Sequence, residues 1–594
     1  MARDLRQRFL GRLLLPLCFG AALFGTSAWA EQPELNAPVE AEGAAAPVRA
    51  FKSVKPVRPT PSEELGIDLS RVPQLRLGAL DVDRILQQDE LDRRQGRVKV
   101  LHYGIGRDVQ LSAGDGHWYD LAGGARLWVA EVAATDALGL RLHFSDVRLP
   151  AGAEIAVYAP SEGDADRGIV KNGWSRFDPE RSVEFFEGRA GAEARELWTG
   201  TIPGERARIE YFVPAGVAAS KELPFRVDNL QHLYLDPVAQ TAKNLVGAKM
   251  AGNCHNDVTC HSGWAEIARA VSGIGIVSGG RTGFCTGQLL NINAKKPDFT
   301  PYFLTANHCL ETGGEAQSTE FYWFYQTAAC GGTPPSLNSV PRSSGASLLS
   351  TSPLSDFTLL MVEGALPEGL FWSGWTSAQI ANGTPATAIH HPSGDFKRIS
   401  FGEKAEQSIC GSNSLLRINW NDAPTEPGSS GSGIFRDSDQ KLFGQLFFGE
   451  SRCGLETWDC YGAFATTFPR IRNFLRGGSD DNLEQNDACN RARQAKQGTT
   501  GGRIVKITDP DWFKISVPPG KTVNISLDFD NSQGDIDLKM FSSCKGGELS
   551  SSLGTTNKET LSVKNTGRKA SFLFWNVFLA NDTRNSYSMT VTFE

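Results

Sequence analysis

The stretch Glu426-Pro427-Gly428-Ser429-Ser430-Gly431-Ser432-Gly433 surrounds one serine, Ser430, with glycine and other serines. Small residues let a backbone turn tightly and bring two amide groups towards one point, where a larger side chain would block an approaching carbonyl group. Gly- and Ser-rich turns also occur in proteins without any catalytic role. What this turn does therefore depends on the residues that precede it in the chain.

Two earlier segments supply the residue types that a nucleophilic serine needs. His308 ends the apolar stretch Tyr302-Phe303-Leu304-Thr305-Ala306-Asn307-His308, and Asp356 opens Asp356-Phe357-Thr358-Leu359-Leu360-Met361-Val362. A hydroxyl is a weak nucleophile until an imidazole takes its proton, and a buried carboxylate must hold that imidazole in the correct tautomer. Taken singly, a histidine at a strand end or an aspartate before an apolar run is usually structural. The order of His308, Asp356 and Ser430 predicts the catalytic triad of a serine protease, whereas an esterase-type elbow would place the serine first.

The N-terminus has the pattern of an export signal. Arginines precede an apolar run from Leu13 to Phe24, and Ala28-Trp29-Ala30 follows as a cleavage site. The alternative is an N-terminal membrane anchor, but the apolar run is short. No later segment offers the roughly 18 uninterrupted apolar residues of a membrane span. We therefore expect a secreted protein with no membrane segment after signal cleavage. The net charge of −7 gives no basic patch for nucleic acid.

The 11 cysteines are unevenly distributed. One lies in the signal, none lies between residues 31 and 249, and eight lie between residues 254 and 460. Even numbers in an exported chain favour disulfides, and the change in cysteine density predicts a domain boundary. Zinc is the alternative, since Cys254-His255 and Cys260-His261 repeat a Cys-His pair, but this spacing matches no established zinc pattern. We expect no metal and no cofactor.

Four segments follow from composition and pattern: a signal peptide (1–30), a propeptide (31–249), a protease domain (250–478) and a C-terminal domain (479–594). The propeptide has an Ala-, Pro- and Glu-rich start through Pro61, predicted to be flexible, and alternating apolar stretches beyond it that predict β-strands. A permanent N-terminal binding domain is the alternative to a propeptide. The protease domain shows short strand patterns between Gly, Pro and Ser turns, which suit a sandwich or a double barrel.

The segment from about Gly252 to Leu475 resembles the lysyl endopeptidase branch of the bacterial trypsin-like (chymotrypsin-fold) serine proteases. The motifs that carry this resemblance are Cys254 and Cys260, Cys285-Thr286-Gly287, Tyr302 to Cys309, Ser355 to Leu360, Ile389-His390-His391-Pro392, Thr425 to Ser432, and Gly444-Gln445-Leu446. The resemblance implies a chymotrypsin-like double β-barrel that hydrolyses peptide bonds through an acyl-enzyme. The substrates would then be proteins or peptides.

The resemblance also implies a role for each matching residue. Ser430 would be the nucleophile, His308 the general base and then acid, and Asp356 the orienting carboxylate. The backbone N–H groups of Gly428 and Ser430 would form the oxyanion hole. Ser429 stands where many trypsin relatives have an aspartate that pairs with the new N-terminus, so activation here is expected to follow removal of the folded propeptide.

Specificity is expected to depend on Asp459. Trypsin carries its selecting acid six residues before the nucleophile, which here is Pro424, whereas lysyl endopeptidases take it from an Asp-x-Tyr-Gly context, matched by Asp459-Cys460-Tyr461-Gly462. A surface aspartate is the alternative, and Glu456 is the nearest rival. The resemblance departs at Phe447, where the lysine-specific enzymes have a histidine, and near Cys410, where they have a tryptophan. A basic P1 residue is still predicted, and these departures leave arginine open. Lysine is favoured, because Lys249 lies just before the expected mature start, as self-processing would require.

The resemblance further implies three disulfides, Cys254–Cys453, Cys260–Cys330 and Cys285–Cys309. Cys410 and Cys460 are left over and could pair, as could Cys489 and Cys544. The C-terminal segment alternates like a β-sandwich and resembles the bacterial pre-peptidase C-terminal (PPC) domain; its Asp535 and Asp537 are too few to define a calcium site. We expect a monomer with its own propeptide as folding aid and inhibitor. The alternatives are a serine endopeptidase of different P1 specificity and an inactive protease-like surface or binding protein.

Overall fold

The computed structural model describes residues 38–46, 59–95, 100–160, 183–187, 195–217, 222–235, 254–294, 299–406, 410–455, 457–475, 486, 488–506, 510–531, 534–580 and 584–594. Contacts separate residues 1–38, of which only Pro38 is described, from residues 39–594. The predicted signal, Lys249 and Glu456 lie outside the described residues. No helix among the described residues is both long enough and apolar enough to cross a membrane.

The N-terminal region is built mainly of antiparallel strands. Its elements are β1 (Glu40–Ala41), β2 (Ala44–Ala45), α1 (Pro61–Leu65), β3 (Gln74–Leu77), α2 (Val82–Gln95), β4 (Leu101–Leu111), β5 (His117–Asp120), β6 (Arg126–Ala134), β7 (Gly139–Val147), β8 (Glu154–Tyr158), β9 (Glu184–Glu187), β10 (Arg195–Trp198), β11 (Ile202–Pro203), β12 (Arg206–Val213) and β13 (Arg226–Leu233). One sheet has the order β3-β6-β12-β8-β9, while β10, β7, β13 and β4 belong to a second sheet that continues into the central region. Trp128, Phe144 and Leu230 fill the core between these sheets, because alternate strand residues point inwards.

The predicted flexible start is wrong for residues 39–46, which we call the strap. The strap forms β1 and β2 and pairs with two short strands of the central region. The alanines and glycine of the strap show no strand pattern in the sequence. Its pairing depends on the backbone edge of the partner strands and not on its own side chains. The predicted flexible start ends where helix α1 begins at Pro61, with Thr60 as its N-cap in a capping box with Glu63.

The central region contains two β-barrel sheets. Its elements are β14 (Asn256–Asp257), α3 (Ala265–Ala270), β15 (Val271–Ser278), β16 (Arg281–Leu289), β17 (Tyr302–Thr305), α4 (Gly313–Gln317), β18 (Glu320–Tyr322), β19 (Arg342–Ser344), β20 (Ala346–Ser352), β21 (Phe357–Val362), β22 (Phe371–Trp372), β23 (Trp375–Thr376), β24 (Pro385–His390), β25 (Arg398–Ala405), β26 (Leu415–Asp422), β27 (Gly433–Arg436), β28 (Leu442–Gly449), β29 (Trp458–Ala463) and α5 (Phe464–Leu475). The helix predicted from Phe468 begins four residues earlier, with Pro469 inside it.

The two barrels divide the candidate catalytic residues between them. In the first barrel the strands run in the order β19-β18-β15-β16-β17-β21-β20, and in the second the order β28-β27-β24-β25-β26-β29 is closed by pairing of β28 with β29. A shared core that includes Leu304, Phe357 and Phe435 packs between the barrels. His308 and Asp356 follow or precede strands of the first barrel, and Ser430 precedes β27 of the second. The predicted mostly-β fold with a double barrel is confirmed.

The C-terminal region is a two-sheet sandwich. Its strands are β30 (Arg493–Gln494), β31 (Gly498–Lys506), β32 (Asp511–Val517), β33 (Thr522–Phe529), β34 (Ile536–Phe541), β35 (Glu548–Ser552), β36 (Lys558–Lys564), β37 (Ser571–Leu579) and β38 (Arg584–Phe593). Five strands form one sheet and four form the other. Alternate residues such as Phe513, Ile525 and Trp575 are buried between the sheets, as the period of two in the sequence predicted.

Candidate active site

His308, Asp356 and Ser430 form a continuous line of hydrogen bonds. The Nδ1 atom of His308 lies 2.8 Å from Asp356 Oδ2, and its Nε2 atom lies 2.8 Å from Ser430 Oγ. The backbone N–H of His308 donates to the other oxygen of Asp356 at 2.9 Å. Asp356 and Ser430 are 2% and 0% exposed. The three residues that the sequence singled out therefore have the mutual geometry that nucleophilic catalysis requires.

The backbone around Asp356 fixes the direction of its carboxylate. Asp356 has a φ of 50°, in the left-handed region, in the turn between β20 and β21. Aspartate tolerates this region better than most residues because its short polar side chain can bond locally. Its carbonyl oxygen accepts hydrogen bonds from the Asn307 N–H at 3.1 Å and from Gln445 Nε2 at 3.2 Å. The turn is thus held from both barrels.

Two glycines are required by the shape of the nucleophile turn. Gly428 has a φ of 99°, and a Cβ there would lie 2.7 Å from the carbonyl oxygen of His391. Gly431 has a φ of 80°, and a Cβ there would overlap Thr305 Oγ1 and the carbonyl oxygen of Thr286. Any other residue at either position would have to displace neighbouring backbone.

The N–H groups of Gly428 and Ser430 are available to a ligand. In the part of the chain that the structure describes, neither group donates a hydrogen bond. Thr286 holds the turn in place, because its Oγ1 donates to the Gly428 carbonyl oxygen at 2.8 Å and its N–H donates to the Ser430 carbonyl oxygen at 2.8 Å. Two fixed donors beside a nucleophile are what an oxyanion hole needs.

Glu426 supports the same turn from the other side, which the sequence did not predict. Its Oε2 atom lies 3.2 Å from Nε2 of the buried His255 and accepts from Ser393 Oγ at 3.0 Å. Burial of Glu426 acts to raise the pKa of its carboxyl. The hydrogen bond and charge of His255, with the bonds from Ser393 and the Cys453 N–H, together outweigh burial, and the pKa of Glu426 lies below the usual range. Its carbonyl oxygen accepts the Ser429 N–H at 3.0 Å. The sequence draws attention to the Cys254-His255 pair, but it does not show that His255 contacts Glu426.

Asp459 lies in β29, fully buried, beside the same turn. Its Oδ2 atom accepts hydrogen bonds from Trp420 Nε1 at 2.6 Å, from Thr425 Oγ1 at 2.6 Å and from Ser451 Oγ. A Cβ on Gly449 would overlap its Oδ1 atom, so the glycine leaves room for this carboxylate. The surface-aspartate alternative does not fit, since Asp459 is 0% exposed. The sequence did not predict Trp420, Thr425 and Ser451 as hydrogen-bond donors to Asp459, because these residues lie in separate segments of the chain.

Phe447 lies against the triad histidine. Its ring centroid is 5.5 Å from that of His308, with the rings tilted by 32°. The Phe447 ring also meets Phe448 at 4.8 Å, in a cluster that contains the Cys410–Cys460 disulfide and Trp458. The two departures from the family pattern, Phe447 and Cys410, are therefore neighbours in space and form one apolar wall.

Five disulfides join cysteines in the predicted pairs, Cys254–Cys453, Cys260–Cys330, Cys285–Cys309, Cys410–Cys460 and Cys489–Cys544. The third braces the turn that carries His308. Cys254, His255 and Cys453 form the one compact group of metal-ligand types among the described residues, but both sulfurs are consumed by the disulfide. His390 binds Ser429 Oγ and Ser400 Oγ, each at 2.7 Å, and so has a structural role.

The N-terminal region meets the first barrel through a shared sheet. Strand β4 pairs with β16 over Arg281 to Phe284, immediately before Cys285 and Thr286 of the active site. Beside this pairing, Glu320 of β18 accepts from Thr201 N–H at 3.0 Å and from Arg342 Nη1 at 2.8 Å, and Arg342 also donates to the Thr201 carbonyl oxygen at 2.9 Å. The interface is thus partly backbone pairing and partly a buried polar network.

Two family models match the chain. The lysyl endopeptidase N-terminal domain matches residues 76–234, and the lysyl endopeptidase C-terminal domain matches residues 248–462. The lysyl endopeptidase of Pseudomonas aeruginosa is 30% identical over 311 residues, which cover 49% of this chain and 66% of that protein. The secreted RxLR effector protein 73 of Plasmopara viticola is 26% identical over 254 residues, which cover 39% of this chain and 60% of that protein. The chain therefore spans slightly less than two thirds of either relative.

Solved structures of proteases also match the chain. The protease Anisep from Arthrobacter nicotinovorans has 14% identity and a TM-score of 0.28, with 35% of this chain and 95% of that chain covered. The thermostable serine protease AL20 from an extremophilic microorganism has 15% identity and a TM-score of 0.26, with 35% and 98% covered. Both domain models of one family match in order along a single chain. Over residues 76–234 and 248–462 this chain is therefore lysyl endopeptidase-like.

Proposed function

We propose that the chain is the precursor of a secreted serine endopeptidase that cleaves after a basic residue, with lysine favoured over arginine. The observation that carries the proposal is the line of hydrogen bonds from Asp356 through His308 to Ser430, beside two N–H groups that have no acceptor among the described residues. Such a site suits acyl transfer, because nucleophile, base and charge stabilisation are all in place before a substrate arrives.

The chemistry follows from these contacts. Ser430 Oγ attacks the carbonyl carbon while His308 Nε2 takes the hydroxyl proton, and the carboxylate of Asp356 stabilises the imidazolium that forms. The developing oxyanion accepts hydrogen bonds from the Gly428 and Ser430 N–H groups. The imidazolium then protonates the leaving amine, and water releases the acyl group by the same steps in reverse.

Asp459 is the residue proposed to select a basic side chain. A buried carboxylate attracts a cation much more strongly than an exposed one, since little water screens the charge. The three hydrogen bonds to its Oδ2 atom keep the carboxylate oriented. The same bonds also suit the second candidate, a serine endopeptidase of different P1 specificity in which Asp459 is purely structural.

The pairing of β4 with β16 supports a propeptide role for the N-terminal region as folding aid and inhibitor. Long-range strand pairing is slow to form, so a preformed strand at the edge of β16 would speed assembly of the first barrel. The same strand lies next to the segment that holds the nucleophile turn. Removal of this region from a monomeric, secreted precursor would then expose the active site.

Digestion of a defined peptide library by the processed protein, beside the Ser430→Ala chain, tests the proposal. Cleavage after lysine, with less after arginine, is expected for the wild type alone. Equal cleavage by both proteins would overturn the assignment of Ser430, and cleavage without any basic preference would favour the second candidate. The neighbouring variant Ser432→Ala is a matched control, because it removes a hydroxyl from the same turn without touching the triad.

A further inference from the structure

The strap, residues 39–46, is bound to the central region by backbone pairing along its length. Glu40 and Ala41 pair with Thr376 and Trp375, and Ala44 and Ala45 pair with Trp372 and Phe371. At the first residue, Ser377 closes the arrangement, since its N–H donates to the Val39 carbonyl oxygen at 2.9 Å and its Oγ accepts the Val39 N–H at 2.8 Å. An extended peptide that adds to an exposed edge in this way is a common mode of peptide recognition.

One glutamate gives the strap a specific side-chain contact. Glu40 Oε2 lies 2.8 Å from Lys441 Nζ, and Glu40 Oε1 accepts from Thr376 Oγ1 at 2.6 Å. The Lys441 side chain is 9% exposed and the Glu40 side chain is 36% exposed, so this ion pair is partly shielded from water. Glu42 also lies 2.7 Å from Lys441, but it is 82% exposed. We call the surface that contacts the strap the groove; it consists of residues 371–377, Asn291, Asn293 and Lys441. Fully exposed pairs contribute little, so Glu40 rather than Glu42 is the residue that the groove recognises.

The strap can lie this close to the connection between the barrels because glycines face each other there. A Cβ on Gly374 would lie 2.6 Å from the Ala41 carbonyl oxygen, and a Cβ on Gly43 would lie 2.5 Å from the Phe371 ring. The groove is therefore shaped for a backbone with a glycine at this position. A larger residue in place of Gly43 would have to displace the Phe371 ring.

The strap contacts both barrels at once. Asn291 and Asn293, which follow β16 of the first barrel, donate from Nδ2 to the carbonyl oxygens of Glu42 at 2.7 Å and of Glu40 at 2.5 Å. Lys441 precedes β28 of the second barrel. Ala41 is 4% exposed and joins the core that the barrels share. The triad is divided between the same two barrels, and no described hydrogen bond of the strap involves a triad residue or Asp459.

We propose that the strap is a binding element separate from the rest of the propeptide. As a free peptide it occupies the same groove on the processed enzyme, strengthens the contact between the barrels and leaves cleavage uninhibited. The ligand of this groove is an extended peptide with the chemistry of Val-Glu-Ala-Glu-Gly-Ala-Ala-Ala. The inference rests on the proposed function in one respect, that processing separates the strap from the catalytic region.

The test uses processed wild-type enzyme and a synthetic, end-blocked peptide of residues 39–46. Mass spectrometry first establishes whether the natural strap is already bound, and calorimetry or exchange against a labelled peptide then measures affinity. We expect binding, a higher melting temperature and an unchanged rate of cleavage of a small substrate. The Glu40→Gln peptide should bind about tenfold more weakly or worse, as expected for a lost charge-assisted bond, and the Glu42→Gln peptide is the matched control.

Two results would overturn the proposal. In the first, the processed enzyme has no natural strap bound and does not bind the added peptide. In the second, the peptide binds but inhibits cleavage in proportion to its binding. Should the chain remain unprocessed, the precursor assignment fails, and the strap is then tested in the intact Ser430→Ala chain. There the amides of Ala41 and Ala45 should be protected from hydrogen exchange, and Gly43→Val should remove that protection. Rapid exchange in the parent chain would show that the strap does not bind.

Discussion

Asp356 and Asp459 are both buried acids of the central region, yet their partners differ in kind. Asp356 gives both of its oxygens to one residue, His308, and lies in a left-handed turn. Asp459 receives Trp420, Thr425 and Ser451 on one oxygen and lies within a regular strand. Burial alone therefore does not assign a role to a carboxylate. In the proposed function, Asp356 orients the base His308, whereas Asp459 selects the basic side chain of the substrate.

The largest expected effect is that of removing the charge of Asp356, which should distinguish its role from that of Asp459. Asp356→Asn leaves the shape nearly unchanged but favours the wrong tautomer of His308, so kcat should fall by roughly 10⁴-fold for every substrate. Steady-state kinetics on peptides with different P1 residues check this. Asp422→Asn, an exposed acid on β26, is the control. A loss below tenfold would mean that Asp356 does not orient the base.

The same substitution at the second acid should affect only basic substrates. Asp459→Asn is expected to lower kcat/KM for lysine and arginine at P1 by roughly 30- to 5,000-fold, as for loss of one partner from a buried charge pair worth about 2–5 kcal/mol. Rates for small apolar P1 residues should change little. The exposed Glu403→Gln on β25 is the control. An equal loss for all P1 residues would make Asp459 structural and remove the distinction from Asp356.

A third acid extends the comparison to the interface between the N-terminal region and the first barrel. Burial, followed by the charge of Glu320, raises the pKa of Glu184 from 4.5 to about 7, although Arg342, the Gly200 N–H and Arg141 oppose the shift. A raised pKa means that the folded interface prefers the protonated acid. The contribution of Glu184 to the free energy of unfolding is therefore fully present below pH 4.5. It is lost as the pH rises from 4.5 through about 7.

The Ser430→Ala chain should therefore open more readily at this interface as the pH rises from 5 to 8, by at most about tenfold per pH unit. Adding Glu184→Gln should remove that dependence and slow exchange at pH 8. The protection factors of the β4 amides against hydrogen exchange measure the pH dependence of opening and the effect of Glu184→Gln. The same pH slope in the two chains would contradict the prediction.

The smallest expected effect concerns the ring that packs on His308. Phe447→Leu removes an aromatic contact worth about 0.5–1.5 kcal/mol, so kcat should fall by roughly two- to tenfold, with a shift in the pH–rate profile. Phe448→Leu is the matched control, because its ring packs on Trp458 and not on His308. Equal changes in both variants would show that only the apolar wall matters.

The triad could be predicted from the sequence because its chemistry demands fixed residue types in fixed local contexts. The disulfide pairs followed from family resemblance and from the cysteines left over, and the structure contains the same pairs. The donors to Asp459 could not be predicted, since Trp420, Thr425 and Ser451 meet only through the closure of the second barrel. The strap was missed because its pairing is set by the partner edge at Phe371 to Thr376.

The pairing of β4 with β16 restricts which residues can replace the glycines on these two strands. A Cβ on Gly104 would lie 2.6 Å from the Leu233 side chain and 2.7 Å from Thr282 Oγ1, and one on Gly283 would lie 2.9 Å from Val100 Cγ1. A larger residue on either strand therefore needs a compensating change on the other. If processing separates the N-terminal region as proposed, residues on both sides of the cleavage point would have to mutate together. An N-terminal region exchanged with a diverged relative would then pair poorly with the first barrel.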